Sequence, residues 1–194
     1  MAQGRRARCR CRGTRPAPHP LLVQWAQARG LSGGGRRAVV VGCGICADTE
    51  YVAGLGYDTV AFDVAETAIR VARQRHPDSS VQYTTADLLD PPPQWLRAFD
   101  LVVEIIAVQA LPDPPRRTAI VNVGRLVARC GTLIVVAAQQ DQPDAPVKGP
   151  PWPLTRAEID AFATDGLSPV RIEEVADPRQ ADDRRWRAEF HRPA

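Results

Sequence analysis

Three carboxylates and one glycine turn hold most of the chemistry this sequence offers. Val39-Val40-Val41 runs into Gly42-Cys43-Gly44-Ile45-Cys46-Ala47, the pattern of a buried strand, a tight turn and a helix start. Glycines at such a turn let a ligand approach the backbone, where the first amides of the helix can meet it. Asp63 follows about twenty residues later, after a second apolar run, and a carboxylate there can accept hydrogen bonds from both hydroxyls of a ribose. Val64 stands beside it. Ala86-Asp87-Leu88-Leu89 closes a third run with an acid next to an apolar side chain, suited to the amino group and ring of an adenine. Phe99-Asp100-Leu101-Val102-Val103-Glu104 closes a fourth with a carboxylate facing the same cleft. The candidate ligand-contacting set is therefore Gly42, Cys43, Gly44, Asp63, Val64, Asp87, Leu88 and Glu104. The glycine turn also satisfies the dinucleotide pattern G-x-G-x-x-G/A through Gly42, Gly44 and Ala47, so by itself it does not choose a ligand.

Each of these residues has a structural role open to it as well. Asp63 can cap the helix that follows, and Glu104 can lie buried against an arginine. Asp48 suits a cap of the helix after the glycine turn better than a ligand contact. Cys43 and Cys46 form C-x-x-C, a spacing shared by redox pairs and metal half-sites, but glycines flank Cys43 and no second pair lies nearby. Cys9, Cys11 and His19 have the chemistry of metal ligands in a segment with little to hold it, and no metal site is assigned. Of the three histidines, His76 precedes Pro77 at the end of a surface helix and His191 lies in the last strand. His19, just before the first ordered helix and at the expected rim of a substrate pocket, is the acid/base candidate.

The elements that must position these groups are short and alternating. Apolar runs at 38–42, 59–64, 81–87, 99–105 and 131–139 read as strands; 49–55, 66–75, 94–97 and 116–129 read as helices. Leu21, Leu22 and Trp25 recur at helical spacing ahead of them, stopped by Gly30 and Gly33-Gly34-Gly35. Near-continuous apolar strands such as Leu133-Ile134-Val135-Val136 imply burial on both faces and a parallel sheet between helices. Residues 140–153 form a long proline-rich connection, a candidate functional loop. Thr155-Arg156-Ala157-Glu158 is a capping box opening a helix that Gly166 ends. Residues 169–175 and 185–191 add two strands joined by an acidic loop. The fold class is α/β: a seven-stranded, mostly parallel sheet.

A chain of 194 residues, 44% hydrophobic and 24% charged, suits one domain. The net charge of +3 is misleading, because Arg5, Arg6, Arg8, Arg10, Arg12 and Arg15 precede any acid; without those six the chain stands at −3. Residues 1–18 read as a disordered arginine-rich arm and 19–194 as the domain, and no nucleic-acid partner is expected. No apolar run approaches a membrane span, so no membrane partner is expected either. Five cysteines, an odd number, fit a reducing cytoplasm better than a disulfide framework.

From about residue 18 onward the sequence resembles the class I S-adenosylmethionine-dependent methyltransferases, and within them the bacterial relatives of the thiopurine and halide/thiol methyltransferases. The resemblance rests on Gly42-Cys43-Gly44 followed by Asp48-Thr49-Glu50-Tyr51, then Phe62-Asp63, Ala86-Asp87-Leu88, Glu104 followed by Gln109-Ala110-Leu111-Pro112, and Gly149-Pro150-Pro151. It implies a Rossmann-like sheet with helices on both faces and an antiparallel last strand, S-adenosylmethionine as cofactor, and a small-molecule methyl acceptor. Gly42 and Gly44 would line its methionine portion, Asp63 the ribose, Asp87 and Leu88 the adenine, and Glu104 the region beside the sulfonium. Acceptor would enter under the first helix and the loop containing Trp152. Two features depart from the family pattern. Its third loop glycine falls at Cys46, and the aromatic and acidic segment that closes over the cofactor is here Cys9-Arg10-Cys11-Arg12-Gly13.

Glu104 and His19 are the candidate catalytic groups. So few bases favour a soft or already ionised acceptor such as a thiol. Two other classes stay open: an NAD-dependent oxidoreductase, which shares the glycine turn and Asp63 but needs a substrate domain, and a noncatalytic cofactor-binding protein.

Overall fold

The computed structural model describes residues 17–44, 47–140 and 149–194. The arm through residue 16, Ile45-Cys46 and residues 141–148 lie outside the described residues. The expectations placed on them do too: a disordered arm, crowding by Cys46, the C-x-x-C pair, and Cys9 and Cys11 as ligands.

Seven strands form one sheet: β1 (Arg37–Val41), β2 (Asp58–Asp63), β3 (Gln82–Thr85), β4 (Phe99–Ile105), β5 (Val127–Ala138), β6 (Ser168–Asp177) and β7 (Gln180–His191). Their order is β3-β2-β1-β4-β5-β7-β6. β1 pairs in parallel with β2 and β4, β2 with β3, and β4 with β5, while β7 runs antiparallel to both β5 and β6. The expected mostly parallel sheet with an antiparallel last strand is therefore present.

Side-chain alternation divides the core into two halves. Val39, Val41, Val102, Leu133 and Val135 face α4 (Pro115–Leu126) and α5 (Arg156–Asp160). Ala38, Val40, Leu101, Val103 and Ile134 face α1 (Pro20–Ala28), α2 (Asp48–Gly54) and α3 (Glu66–Arg75). Strands covered on both sides need apolar residues at every position, which is why β1 and β4 carry unbroken valine and leucine runs. No helix among the described residues is long and apolar enough to cross a membrane.

The third strand is shorter than the expected 81–87, ending at Thr85, and three other boundaries move for a tertiary reason. α4 stops at Leu126 and β5 begins at Val127, because the buried Arg192 side chain donates from Nε to the Val127 carbonyl (2.8 Å) and from Nη2 to the Gly124 carbonyl (3.0 Å). Those bonds satisfy acceptors that the helix end would otherwise leave bare. α5 opens on the expected Thr155–Glu158 capping box but ends at Asp160, six residues before Gly166. Just beyond that end Phe162 turns inward onto Phe190, ring centroids 6.0 Å apart. The expected acidic loop is mostly strand. β6 and β7 extend to Asp177 and Gln180, where Asp177 Oδ2 accepts from Arg185 Nε at 2.9 Å and Oδ1 from the Arg179 amide at 3.0 Å.

α1 is fastened to the far end of the chain. Trp25 Nε1 donates to Glu189 Oε2 at 2.9 Å, and Arg29 Nη2 reaches the same oxygen at 2.6 Å.

Candidate functional site

The sheet reverses its winding between β1 and β4: β2 and β3 lie to one side of β1, β4 and β5 to the other. Open α/β sheets bind ligands at such a switch point, outside the carboxyl ends of the strands. Four of the predicted groups stand there. Gly42–Gly44 follow β1, Asp63 ends β2, Asp87 and Leu88 follow β3, and Glu104 lies one residue from the end of β4, opposite Val41.

Gly42 and Gly44 have φ of 57° and 52°, the left-handed region that side chains resist. At Gly42 the lack of a side chain is also a packing requirement, because a Cβ would lie 2.6 Å from the Cβ of Ala107. The turn after β1 and the turn after β4 are thus in backbone-to-side-chain contact. Cys43, between the glycines, is buried and donates its amide to the Phe62 carbonyl at 2.8 Å. It anchors the turn with its backbone and keeps its side chain in the core.

Asp63 ties the turn after β1 to the entrance of α3. Oδ1 accepts from the Ala65 amide at 2.9 Å, tightening the entrance to α3, and Oδ2 accepts from the Gly44 amide at 2.9 Å. Each carboxylate oxygen has a second lone pair, so the group can still receive hydroxyl donors. Val64 beside it is 70% exposed, which leaves an apolar surface at the site. Asp87 is exposed and accepts from the Leu89 amide at 2.8 Å. Leu88 packs against the core edge, and its carbonyl is held by Asn122 Nδ2 of α4 at 2.9 Å.

Glu104 is fully buried, but no arginine among the described residues meets it. Its Oε1 instead accepts the amides of Ala107 (2.7 Å) and Val108 (3.0 Å), bracing the turn that leans on Gly42. Among the described residues its Oε2 has no hydrogen-bond partner. Burial pushes the carboxyl up to about 7, against the lowering effect of the two amides.

The placement expected of His19 at the rim and that of Asp48 as a helix cap are both corrected. His19 does not stand at an open pocket edge: it is fully buried and caps α1, with Nδ1 accepting from the Leu21 amide at 3.2 Å. Asp48 does not cap α2; it occupies the first helical position, and its Oδ1 accepts from the His19 amide at 2.5 Å. The two residues fasten α1 over the start of α2. Half-buried His76 lies 3.9 Å from Glu50, and His191 ends β7, so neither approaches the switch point.

Sequence reasoning gave Gln109 no task. Its Nε2 donates to the Trp152 carbonyl (2.8 Å), its Oε1 accepts from the Ala138 amide (2.8 Å), and its backbone carbonyl accepts from the Trp152 amide (2.8 Å). One side chain thus ties the β4 turn, the end of β5 and the Trp152 loop together. A buried amide inside Val108-Gln109-Ala110 was the available signal, as was Asn122 inside an apolar helix face. Among the described residues no group of three His, Cys, Asp or Glu side chains could hold a metal ion. A groove of about 410 Å³, lined by Glu66, Ile69, Arg70, Arg73, Gln74 and Thr85, lies on the flank of α3 and includes none of the candidate residues.

Residues 38–131 match the family described as "Methyltransferase domain". A ubiquinone biosynthesis O-methyltransferase of Xanthomonas oryzae pv. oryzae (strain PXO99A) is 33% identical over 122 residues, 61% of this chain and 49% of that protein. The chain spans about half the length of the curated relatives it matches. The solved N-methyltransferase NodS from Bradyrhizobium japonicum WM9, in complex with S-adenosylhomocysteine, is 24% identical with a TM-score of 0.70, covering 91% of this chain and 89% of that one. The cyclase SpnF is 16% identical with a TM-score of 0.73, covering 90% and 80%. The structural likenesses establish the fold, and a cyclase among them shows that this fold alone does not choose a reaction.

Proposed function

We propose that this chain, a Rossmann-like methyltransferase fold whose residues 38–131 match a methyltransferase domain, binds S-adenosylmethionine at the β1/β4 switch point and methylates a small molecule. The observation that carries the reading is the convergence of Gly42, Gly44, Asp63 and Glu104 at adjoining strand ends, with no side chain at Gly42 and a buried acceptor left unmatched at Glu104. Bound there, the cofactor supplies a methyl group already activated by its sulfonium charge.

The chain's own contribution is orientation and exclusion of water. Gly42 and Gly44 offer close backbone approach, Asp63 takes the ribose hydroxyls, and Val64 and Leu88 give apolar surface beside Asp63 and Asp87. Gln109 fixes the Trp152 loop on the acceptor side. His19 is committed to capping α1 and Glu104 is enclosed, so neither stands exposed to take a proton from an alcohol. That favours an acceptor that ionises by itself, a thiol as the sequence suggested or an acidic phenol. The O-methyltransferase relatives support the second choice, and a panel of thiols and phenols assayed for methyl transfer separates the two.

Calorimetry with S-adenosylhomocysteine tests the cofactor assignment; no heat of binding at millimolar ligand would remove it, and competition with NAD addresses the oxidoreductase reading. Asp63→Ala is expected to weaken binding by about 1 to 3 kcal/mol, the range for hydrogen bonds to a charged group. An unchanged dissociation constant in a variant of normal melting temperature would refute the ribose role.

A further inference from the structure

We propose that Gln109 is a positioning residue that couples the two halves of the site, so that a cofactor seated against the turn after β1 tightens the Trp152 segment on the other side. The inference rests on the cofactor reading above and adds a link between the halves that this reading does not require.

Among the described residues, the backbone of Trp152 is held by Gln109 alone. Its amide donates to the Gln109 carbonyl (2.8 Å), and its carbonyl accepts from Gln109 Nε2 (2.8 Å). Its indole ring lies against Gly149, where an added Cβ would come within 2.4 Å of the ring. Two residues later Leu154 is held by other groups: its amide donates to the Ala138 carbonyl, and its carbonyl accepts from the Gln140 amide and from Trp186 Nε1. One end of the segment therefore follows Gln109, and the other follows β5 and β7. Gln109 is fully buried, and its Oε1 takes the Ala138 amide at 2.8 Å. A side-chain amide is suited to this place because it donates to one strand of backbone while accepting from another.

Gln109 in turn belongs to a short segment that answers to the β1 turn. Ile106 has a φ of 63°, a left-handed conformation that a β-branched residue rarely adopts and that persists only where its surroundings impose it. Three restraints impose it here. The Ile106 amide donates to the Val136 carbonyl at 3.0 Å, and Glu104 Oε1 accepts the amides of Ala107 and Val108. The third restraint is the Ala107 methyl, set so close to Gly42 that a Cβ there would stand 2.6 Å from it. The first two belong to the β4 and β5 framework, whereas the third depends on where the β1 turn sits. A segment held against its own preference has a relaxed arrangement to fall back on, and a ligand that fixes Gly42 favours the braced one. From Gly42 to Ala107, and along the chain to Gln109 and Trp152, the path is contiguous, and the experiment below measures whether it carries coupling.

The test is amide hydrogen exchange of the full chain, with and without S-adenosylhomocysteine at a concentration that calorimetry shows to be saturating. The Trp152 and Ala138 amides, which donate to Gln109, should exchange several-fold more slowly with ligand. That slowing should exceed the one at amides of the β6–β7 hairpin, which reports the general stabilisation any ligand brings. Gln109→Ala should remove the selective effect of the ligand at Trp152. A merely structural glutamine would raise exchange by the same factor in both states and leave the ligand effect intact, which overturns the proposal. Ala107→Gly withdraws the methyl from Gly42 while keeping every bond of Gln109. It should leave exchange without ligand near that of wild type and abolish the selective slowing, and it keeps the test open if Gln109→Ala does not fold. Binding without selective slowing at Trp152, or a slowing that survives either substitution, overturns the proposal alone. Failure of S-adenosylhomocysteine to bind overturns the cofactor reading and the proposal together.

Discussion

Between about pH 4.5 and pH 8, the stability of Glu104→Gln relative to wild type is expected to rise by about 3 kcal/mol. The carboxyl titrates near 4.5 in an unfolded chain and near 7 in the folded protein, because the sheet interior solvates its charge poorly. A group whose folded-state value is raised gives stability that is complete below the unfolded value and is lost as pH climbs through the folded one. Glutamine carries no such charge. It preserves Oε1 for the Ala107 and Val108 amides and replaces Oε2 by an amino group, at a fixed cost of about 1 to 3 kcal/mol if that donor stays unpaired. The absolute offset between the two proteins depends on this cost, whereas the change of the offset with pH does not. Urea denaturation at several pH values reads it directly. Curves that run parallel across the range would mean that Glu104 is not the buried acid described here.

The second large effect is expected from Gly42→Ala. Alanine in the left-handed region costs about 1 to 2 kcal/mol, and its Cβ would stand 2.6 Å from that of Ala107. Relief requires the β1 turn or the β4 turn to move. The β4 turn is braced by Glu104 and the β1 turn by the Cys43 amide, so strain passes to the bond between Gly44 and Asp63. The expected result is a melting temperature lower by several degrees and an affinity for S-adenosylhomocysteine reduced by about two orders of magnitude. Gly54→Ala is the control. That glycine ends α2 with nothing within 4 Å of an added Cβ, and the substitution should leave both measurements nearly unchanged. A Gly42→Ala protein that binds normally would show that close approach at this turn is not needed.

The parts of the fold legible in the sequence are those decided by near neighbours. β4 occupies 99–105 and α3 occupies 66–75 as read, because unbroken apolar character and 3.6-residue periodicity are local properties. Asp63 and the glycines were equally plain, since their spacing follows from one strand-turn-helix unit. What escaped was settled by residues far along the chain. The end of α4 depends on Arg192, and Phe162 leaves α5 to meet Phe190. Histidine 19 looked like a base on the rim because nothing beside it in sequence reveals that Asp48 will hold its amide. Glu104 was found as a carboxylate at a strand end, but the choice between an arginine partner and two backbone amides belongs to the path of the turn after it.

The bond from Trp25 and Arg29 to Glu189 bears on how the molecule is made. A ribosome delivers α1 first, yet the carboxylate that anchors it arrives more than 160 residues later, on the strand that inserts between β5 and β6. Until then α1 is held by its apolar face and by the bond from the His19 amide to Asp48, without the anchor at Glu189. Although it precedes every strand described, α1 is thus among the last elements to be locked, once β7 has entered the sheet. Nascent chains halted before residue 189 should leave α1 open to proteolysis while β1 to β4 are already in place.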